Sequence, residues 1–328
     1  MSRLRYLAVR SAQTVALIIL VITGLFFFFR MMPGSFADQM VYQGASPETV
    51  EAFKENWGLN DPLHIQYIRY MENLMSLDMG TSVAYRTPVI EIVWRRIFNS
   101  FILIAPAITL AYIVGSFIGL IAGVRRGSFF ERYGLAPILF FGSTPSFVLA
   151  VFAIVLFAGI LGIFPTGGML SVTGYSIEPW WRSYLTSDFL WHYTLPFGVI
   201  ASRYLLLPSL IMRTNVVEVL GQDFINYQRI AGIPRRTRWR QIAKHSSLPV
   251  ITMYPVSMTR AIGGLVLVEL VFNWPGIGSL LVESIFVRDT PIVQFVFMLM
   301  AIFVILSNFA VDIIYGLIDP RVSVGDSD

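Results

Sequence analysis

Cysteine is absent from the 328 residues, which removes disulfides, thiolate metal sites and cysteine nucleophiles. Lysine is nearly absent, since only Lys54 and Lys244 occur, and they follow Phe53 and Ala243. A phosphate loop of the form Gly-x-x-x-x-Gly-Lys-Ser/Thr needs a Gly-Lys pair. The chain is therefore no P-loop ATPase, and if ATP drives it, another subunit supplies the chemistry. The three histidines, His64, His192 and His245, are scattered, with no His-x-x-x-His and no carboxylate pair at metal spacing. Gly-x-Ser-x-Gly is missing as well. No catalytic residue and no metal ligand set is legible. The thirteen methionines have no clustered spacing suited to a soft metal and read as packing residues.

Charge is also scarce, at 13%, whereas 55% of residues are hydrophobic and the mean hydropathy is +0.67. A soluble domain of this length is not that apolar, so the chain reads as a polytopic membrane protein. A net charge of +4 and a pI near 9.4 raise the question of nucleic acid. The basic residues sit mainly at the ends of apolar stretches, however, where membrane orientation accounts for them.

Six spans are expected, at residues 12–29, 98–124, 133–164, 191–212, 248–272 and 292–318. The first follows Arg3, Arg5 and Arg10. It is long for a signal peptide and lacks a clean Ala-x-Ala site after it. The third is longer than a bilayer needs, and Pro137 and Pro145 can bend it. Residues 166–192, rich in Gly, Trp and Tyr, read as an interfacial loop, and Phe26 to Phe29 and Trp180, Trp181 and Tyr184 as aromatic belts.

Residues 30–97 have ordinary composition and read as a small external domain with two short helices. Ser46, Pro47 and Glu48 open one and Gly58 after Trp57 can end it. Asp61 and Pro62 open another that fades near Met79 and Gly80. Its apolar face takes in Ile65, Ile68 and Leu74, and it packs on the membrane part because so short a segment holds little core of its own.

With the N-terminus inside, cytoplasmic segments hold 14 arginines and lysines and external segments 8, with Arg203 and Arg260 inside spans completing the 24. The external majority lies in one long domain, which counts for little in orientation. Both termini are then cytoplasmic, including the tail 319–328.

The longest polar and basic stretch of the second half is 221–249, inside the cytoplasmic loop 213–249. Residues up to Ala231 suit a helix that Gly232 can close in a left-handed turn and Pro234 can restart at a first-turn position. From Arg235 onward Trp239, Ile242 and Ala243 make a narrow apolar stripe among Arg235, Arg236, Arg238, Arg240 and Lys244. A basic loop can simply anchor topology; a helix, corner and helix of this kind can also seat in a groove of a partner.

These residues carry a resemblance. Asp223-Phe224, Gly232, His245 and Leu248-Pro249 are similar to the cytoplasmic EAA loop of ABC importer permeases, in its dipeptide/oligopeptide/nickel family form. Gly58-Leu-Asn-Asp-Pro-Leu63 with Gln66 and Tyr67, Gly80-Thr-Ser82, Thr144-Pro-Ser-Phe147, Glu218-Val-Leu220, Phe272-Asn-Trp-Pro-Gly-Ile-Gly278 and Asp319-Pro-Arg321 follow in the family's order. The resemblance implies an all-α permease of the cell (inner) membrane, with tail and first span at 1–29, an external domain at 30–97 and a five-helix core at 98–318. It implies a coupling helix that ATP-binding subunits move, with Asp223, Phe224, Arg229, Ala231, Gly232, Arg236, His245 and Pro249 as the coupling residues. The implied partners are a second homologous permease, two ATP-binding subunits carrying ATP and Mg2+, and an extracytoplasmic solute-binding protein. No cofactor is expected on this chain and no nucleic acid among its partners. Di- or oligopeptides are the expected substrates, with oligosaccharides, nickel complexes and glutathione as alternatives. One departure is the run before the loop glycine, usually basic and alanine-rich in the family, which here keeps only Arg229 as a charge.

Arg203 and Arg260 each lie about 12 residues into their spans, ~18 Å at ~1.5 Å per residue. A cation there costs several kcal/mol unless it faces water or a partner. The pair reads either as part of a polar route favouring carboxylate-bearing substrates or as buried cations held by carbonyls or by Glu269 or Asp312. Glu269, at the outer end of its span, reads as a gate or a structural cap, and Trp274, Pro275, Gly276 and Gly278 as an external gate or loop. An ion-coupled secondary transporter is the competing class; it would need paired halves and an acidic relay, whereas the mid-span charges here are basic.

Overall fold

The computed structural model describes residues 3–31, 46–56, 58, 60–172 and 179–318; Trp57 and the expected tail 319–328 lie outside them. Among the described residues the chain is helical, with a single isolated bridge between Thr81 and Pro88. In chain order the α-helices are α1 (Arg3–Met31), α2 (Pro47–Asn56), α3 (Leu63–Met75), α4 (Val89–Val124), α5 (Phe129–Ser143), α6 (Ser146–Ala153), α7 (Ser187–Tyr204), α8 (Leu206–Leu220), α9 (Asp223–Ile230), α10 (Arg235–Val271), α11 (Ile277–Phe286) and α12 (Thr290–Ile318).

Four stretches are long and apolar enough to cross a membrane: Leu7–Met31, α4, α7 with α8, and Thr290–Ile313. Six result if two bent pairs each count as one. The third expected span is one of these pairs. It is two helices meeting at 103°, α5 and then α6 continued by a π-helical turn at Ile154–Ile160. Thr144 and Pro145 are both extended at the joint, as a pre-proline residue prefers, whereas Pro137 sits inside α5. The other pair is α10, bent by 55° between Arg235–Ala261 and Gly263–Val271 at two successive glycines. Three rods exceed the need of a bilayer. With 36 residues in α4, 37 in α10 and 34 from Ser187 to Leu220, each reaches about 50 Å against a hydrocarbon core of about 30 Å.

Several boundaries differ from expectation for local reasons. Ser76 caps α3 and Leu77 turns left-handed (φ 59°), so α3 stops at Met75 rather than near Gly80. Ile68 is 54% exposed, and Tyr70, Met71 and Leu74 are the residues that pack inward. The interfacial loop ends at Thr186, whose hydroxyl accepts the Phe189 amide and starts α7. Pro234 is the N-cap of α10 rather than its first residue. Helix α11 was not anticipated. Asn273 in a left-handed conformation (φ 49°) closes α10, and Gly276 with Ser279 opens the new helix.

Internal contacts divide the described chain into two compact units. One is drawn from residues 1–99 and 276–309. In it Phe26 and Phe29, expected as a belt, are buried, Phe26 against Tyr67 and Tyr70. Tyr67 bonds Thr23 at 2.9 Å and Tyr70 bonds the Met298 sulfur, so α3 does pack on spanning helices. Buried Asp289 accepts from the Ser82 hydroxyl (2.5 Å) and the Ala84 amide (3.0 Å), pinning the 80–88 loop. Beside it Tyr85 reaches Glu283 at 3.4 Å, and burial together with that carboxylate pushes the Tyr85 phenol up.

The other unit, from 100–275 and 310 onward, is organised by glycine. Gly115, Gly119 and Gly123 fall at i, i+4 and i+8 on α4. A Cβ at Gly115 would lie 2.8 Å from the Leu205 carbonyl oxygen, one at Gly123 2.7 Å from the Val216 Cβ, and one at Gly119 on the Ser209 carbonyl. Backbones in lipid associate through such close approach, because lipid tails remove the hydrophobic drive between helices. Between α7 and α8 the helix breaks at Leu205. The cause is Pro208, which lacks the N–H that the Tyr204 carbonyl would accept.

Adding a methyl at Gly119 therefore forces backbone apart. Gly119→Ala is expected to cost about 1–3 kcal/mol by overpacking, and Gly119→Leu to leave little folded protein. Gly198→Ala, where nothing lies within 4 Å, is expected to gain about 0.5–1 kcal/mol from helix propensity. Thermal unfolding of the purified chain in detergent measures all three.

Candidate functional site

The loop between α8 and α10 is built by local chemistry. Gly221 ends α8, Gln222 is extended, and Asp223 begins α9, where a carboxylate meets the positive end of the helix dipole. Eight residues later the helix closes with a six-to-one bond from the Ile233 amide to the Gln228 carbonyl (3.0 Å). A five-to-two bond joins Gly232 to Arg229 (3.3 Å). This is a Schellman closure, and it needs its C′ residue left-handed; Gly232 has φ 72° with nothing within 4 Å of a Cβ. The sequence expectation for Gly232 holds.

The loop is not a free flap. Ile225 and Ile242 are buried in one core with Val216 and Val219, which ties α9 to both long helices. The Phe224 ring lies 5.1 Å from that of His245, and the Gln228 amide donates to Gln241. On the opposite side of α9 from Ile225 come Asp223, Tyr227 and Ile230, all exposed, the last two at 71% and 82%. Arg229, Ala231, Gly232 and Arg236 are exposed around the corner. Of the eight expected coupling residues, half-buried Phe224 and exposed His245 meet across α9 and α10, and Asp223, Arg229, Ala231, Gly232 and Arg236 lie on the exposed face. Pro249 stands apart, inside α10 one turn beyond His245. Sequence reasoning missed Tyr227 and Ile230, although their spacing of two and five from Ile225 already puts them on the face away from it.

The adjoining basic turn is fastened as well. Ser128 caps α5, Gly127 (φ 79°) donates to Glu131 Oε2 at 2.5 Å, and Arg213 of α8 donates through Nε and Nη2 to Oε1 of the same carboxylate. That pair, 82 residues apart, had no signal in the sequence.

A second polar cluster lies along the helices. Tyr112 of α4 donates to the Met253 carbonyl at 2.9 Å and bonds Ser257 at 2.6 Å. Thr109 bonds the Tyr254 hydroxyl at 2.7 Å, and the Tyr112 and Tyr254 rings meet edge to face at 5.2 Å. Arg203 lies in the last turn of α7, next to Tyr204 in the chain, and Arg260 lies on α10. Arg203 is half-buried and Arg260 exposed, and among the described residues neither has a carboxylate within ion-pair distance. Glu269 is elsewhere. It is 0% exposed and accepts from the Ser100 hydroxyl at 2.5 Å.

Its carbonyl receives the amide of Trp274, itself wholly buried in the core of this unit. Within the same unit a Cβ at Gly167 would meet the Phe272 carbonyl oxygen at 2.7 Å. Pro275 follows Trp274. Gly276 and Gly278, assigned to the other unit, begin α11.

Comparison with known proteins agrees with the helical layout. The model of the family described as binding-protein-dependent transport system inner membrane component matches residues 115–324, and that of its N-terminal region matches residues 3–101. The oligopeptide transport system permease protein AppB of Bacillus subtilis (strain 168) is 30% identical over 97% of this chain and 98% of its own. The glutathione transport system permease protein GsiC of Salmonella paratyphi A is 29% identical over 97% and 99%.

Ser100→Ala leaves the buried Glu269 carboxyl one donor short, at an expected cost of about 1–3 kcal/mol. Glu269→Gln keeps an acceptor for Ser100 and is expected to cost less. Thermal unfolding in detergent ranks the two.

Proposed function

We propose a mechanism from one premise: the chain belongs to the binding-protein-dependent transport system inner membrane component family. It is accordingly a multi-pass inner-membrane permease subunit of an ABC importer and not an enzyme. ATP is hydrolysed on separate subunits, and solute comes from a binding protein.

The finer reading is ours. The substrates are di- or oligopeptides, a choice supported by AppB, named for oligopeptides, and by GsiC, named for the tripeptide glutathione. A second homologous permease completes the path, and two ATP-binding subunits carry the nucleotide and Mg2+. The arginine bias puts both termini in the cytoplasm, residues 30–97 outside, and the loop 213–249 on the side of the ATPases. The observation that carries the mechanism is the outer face of α9. Asp223, Tyr227 and Ile230 offer a partner one acid and two large apolar groups, while Ile225, Phe224 and Gln228 lock the same helix to α8 and α10. A partner that grips this face and rotates it turns both long helices, and the path alternates its access. Arg203 and Arg260 line that path. Glu269 braces the outer end of α10, and the Trp274 to Gly278 turn closes it.

Purification of the native assembly in mild detergent tests the partners. Two P-loop ATPases and a second permease are expected with this chain. A chain that came alone and moved solute in vesicles without ATP would instead be a secondary transporter. Gly232→Val tests the corner. A left-handed β-branched residue costs roughly 1–2 kcal/mol, too little to prevent insertion. ATP hydrolysis in reconstituted vesicles is expected to continue while uptake falls at least about tenfold, and normal uptake would refute the coupling assignment.

A further inference from the structure

The two sides of α5 differ sharply at its start. Glu131, Leu135, Ile138 and Gly142 recur at helical spacing on the side that packs inward. Glu131 is the one carboxylate between Arg125 and Phe140, and it is engaged there, by the Gly127 amide at 2.5 Å and by Arg213 Nε at 2.9 Å. Phe129, Tyr133 and Phe140 recur on the opposite side and are 79%, 54% and 65% exposed. The Phe129 and Tyr133 rings lie 4.3 Å apart at 35°, so the two make one shelf. Arg132 sits between them in the chain, and Arg125 and Arg126 precede them in a turn that the Ser128 amide closes on the Arg125 carbonyl at 3.0 Å. All three arginines are exposed, and among the described residues none has a carboxylate within ion-pair distance. Because α5 belongs to a bent pair long and apolar enough to cross a membrane, acyl chains are what cover its apolar outward side.

We propose that this turn and the outward side of α5 form a site for an anionic phospholipid, with its chains along Phe140, Tyr133 and Phe129 and its headgroup at Arg125, Arg126 and Arg132. From Phe129 to Phe140 the helix rises ~16 Å at ~1.5 Å per residue, about the depth of one leaflet's hydrocarbon. A guanidinium donates two parallel bonds to phosphate oxygens. Every phospholipid has that phosphate, so selectivity rests on the rest of the headgroup. The quaternary ammonium of phosphatidylcholine could lie over the ring faces. It would also meet three guanidinium groups that no carboxylate of this turn offsets, and the charge balance therefore favours a headgroup with no cation. The inner side of the same first turn is fastened to α8 through Glu131 and Arg213. A lipid held on the outer side steadies the helix that bears on the coupling corner, whatever solute the permease carries.

The test uses the purified permease–ATPase assembly, stripped of lipid in mild detergent. Phosphatidylglycerol and phosphatidylcholine with the same acyl chains are titrated in turn, and binding is read by native mass spectrometry and by the thermal unfolding midpoint, which a ligand of the folded state raises. The wild type is expected to bind phosphatidylglycerol about tenfold more tightly than phosphatidylcholine, as the attraction of several basic residues to an anionic headgroup allows. The double variant Arg125→Gln with Arg132→Gln is expected to bind the two lipids alike, and Arg125→Lys with Arg132→Lys to keep most of the preference. If the glutamine pair fails to assemble, high salt on the wild type serves instead and is expected to shrink the preference. Equal wild-type affinities, a preference that survives both the glutamine pair and high salt, or the same stabilisation by glycerol phosphate without chains would overturn the site. A preference shown by the isolated chain but absent from the assembly would overturn it as well, because a partner subunit would then cover this face.

Discussion

The close approach of α4 to the Leu205–Val216 segment is the constraint on which the rest of the larger unit depends. In water a helix can be placed by burying an apolar stripe; in lipid both the stripe and its alternative are apolar. Placement then falls to van der Waals contact and to the few bonds that cross between helices. Gly115, Gly119 and Gly123 let α4 touch the backbone of α8 itself. The Glu131 and Arg213 pair ties α8 to the start of α5 as well. A helix located that tightly behaves as a rod, and α8 is the rod on which the coupling corner is mounted.

Rigidity at that point gives the corner its use. Helix α8 has 15 residues, about 22 Å at ~1.5 Å each. One end is the Pro208-induced break beside Arg203 and the other is Gly221 at the entry to α9. Helix α10 starts at the corner and carries Arg260 twenty-five positions further on the same element. Because Ile225 and Ile242 share one packed core with Val216 and Val219, α9 cannot tilt alone. Interiors at that density shift between discrete packings rather than deform smoothly, so α9 moves together with the parts of α8 and α10 it packs on.

Much of this was legible in the sequence wherever a local rule governs. Gly232 was readable because only a left-handed residue closes that helix. The helix opening at Pro47 was readable from Ser46 and Glu48, and the break at Pro145 from proline's missing donor. The expectation of a cytoplasmic corner came from the resemblance and the arginine bias rather than from a local rule. What could not be read depends on pairs far apart in the chain. Glu131 meets Arg213, Ser100 meets Glu269 and Ser82 meets Asp289 only after the helices are placed, and nothing in the spacing of single residues announces them. Helix α11 was hidden for another reason. Its ten residues are too few for a span, and Phe272-Asn-Trp-Pro-Gly in front of it reads as loop.

The two kinds of charge in the larger unit follow opposite logics. Glu269 is sealed from solvent and given a hydroxyl donor, so desolvation is offset by a fixed neighbour and the group holds its place. Arg203 keeps partial and Arg260 full exposure, and among the described residues neither has a carboxylate within ion-pair distance. An ion pair with an internal acid would satisfy them permanently and leave nothing for a passing anion. A cation in a span that lacks an acid is costly unless water, backbone carbonyls or another partner meets it. A transport path needs sites that bind enough to admit a solute and weakly enough to release it. A carboxylate sealed as Glu269 is, with no exposure and a fixed hydroxyl donor, meets neither condition.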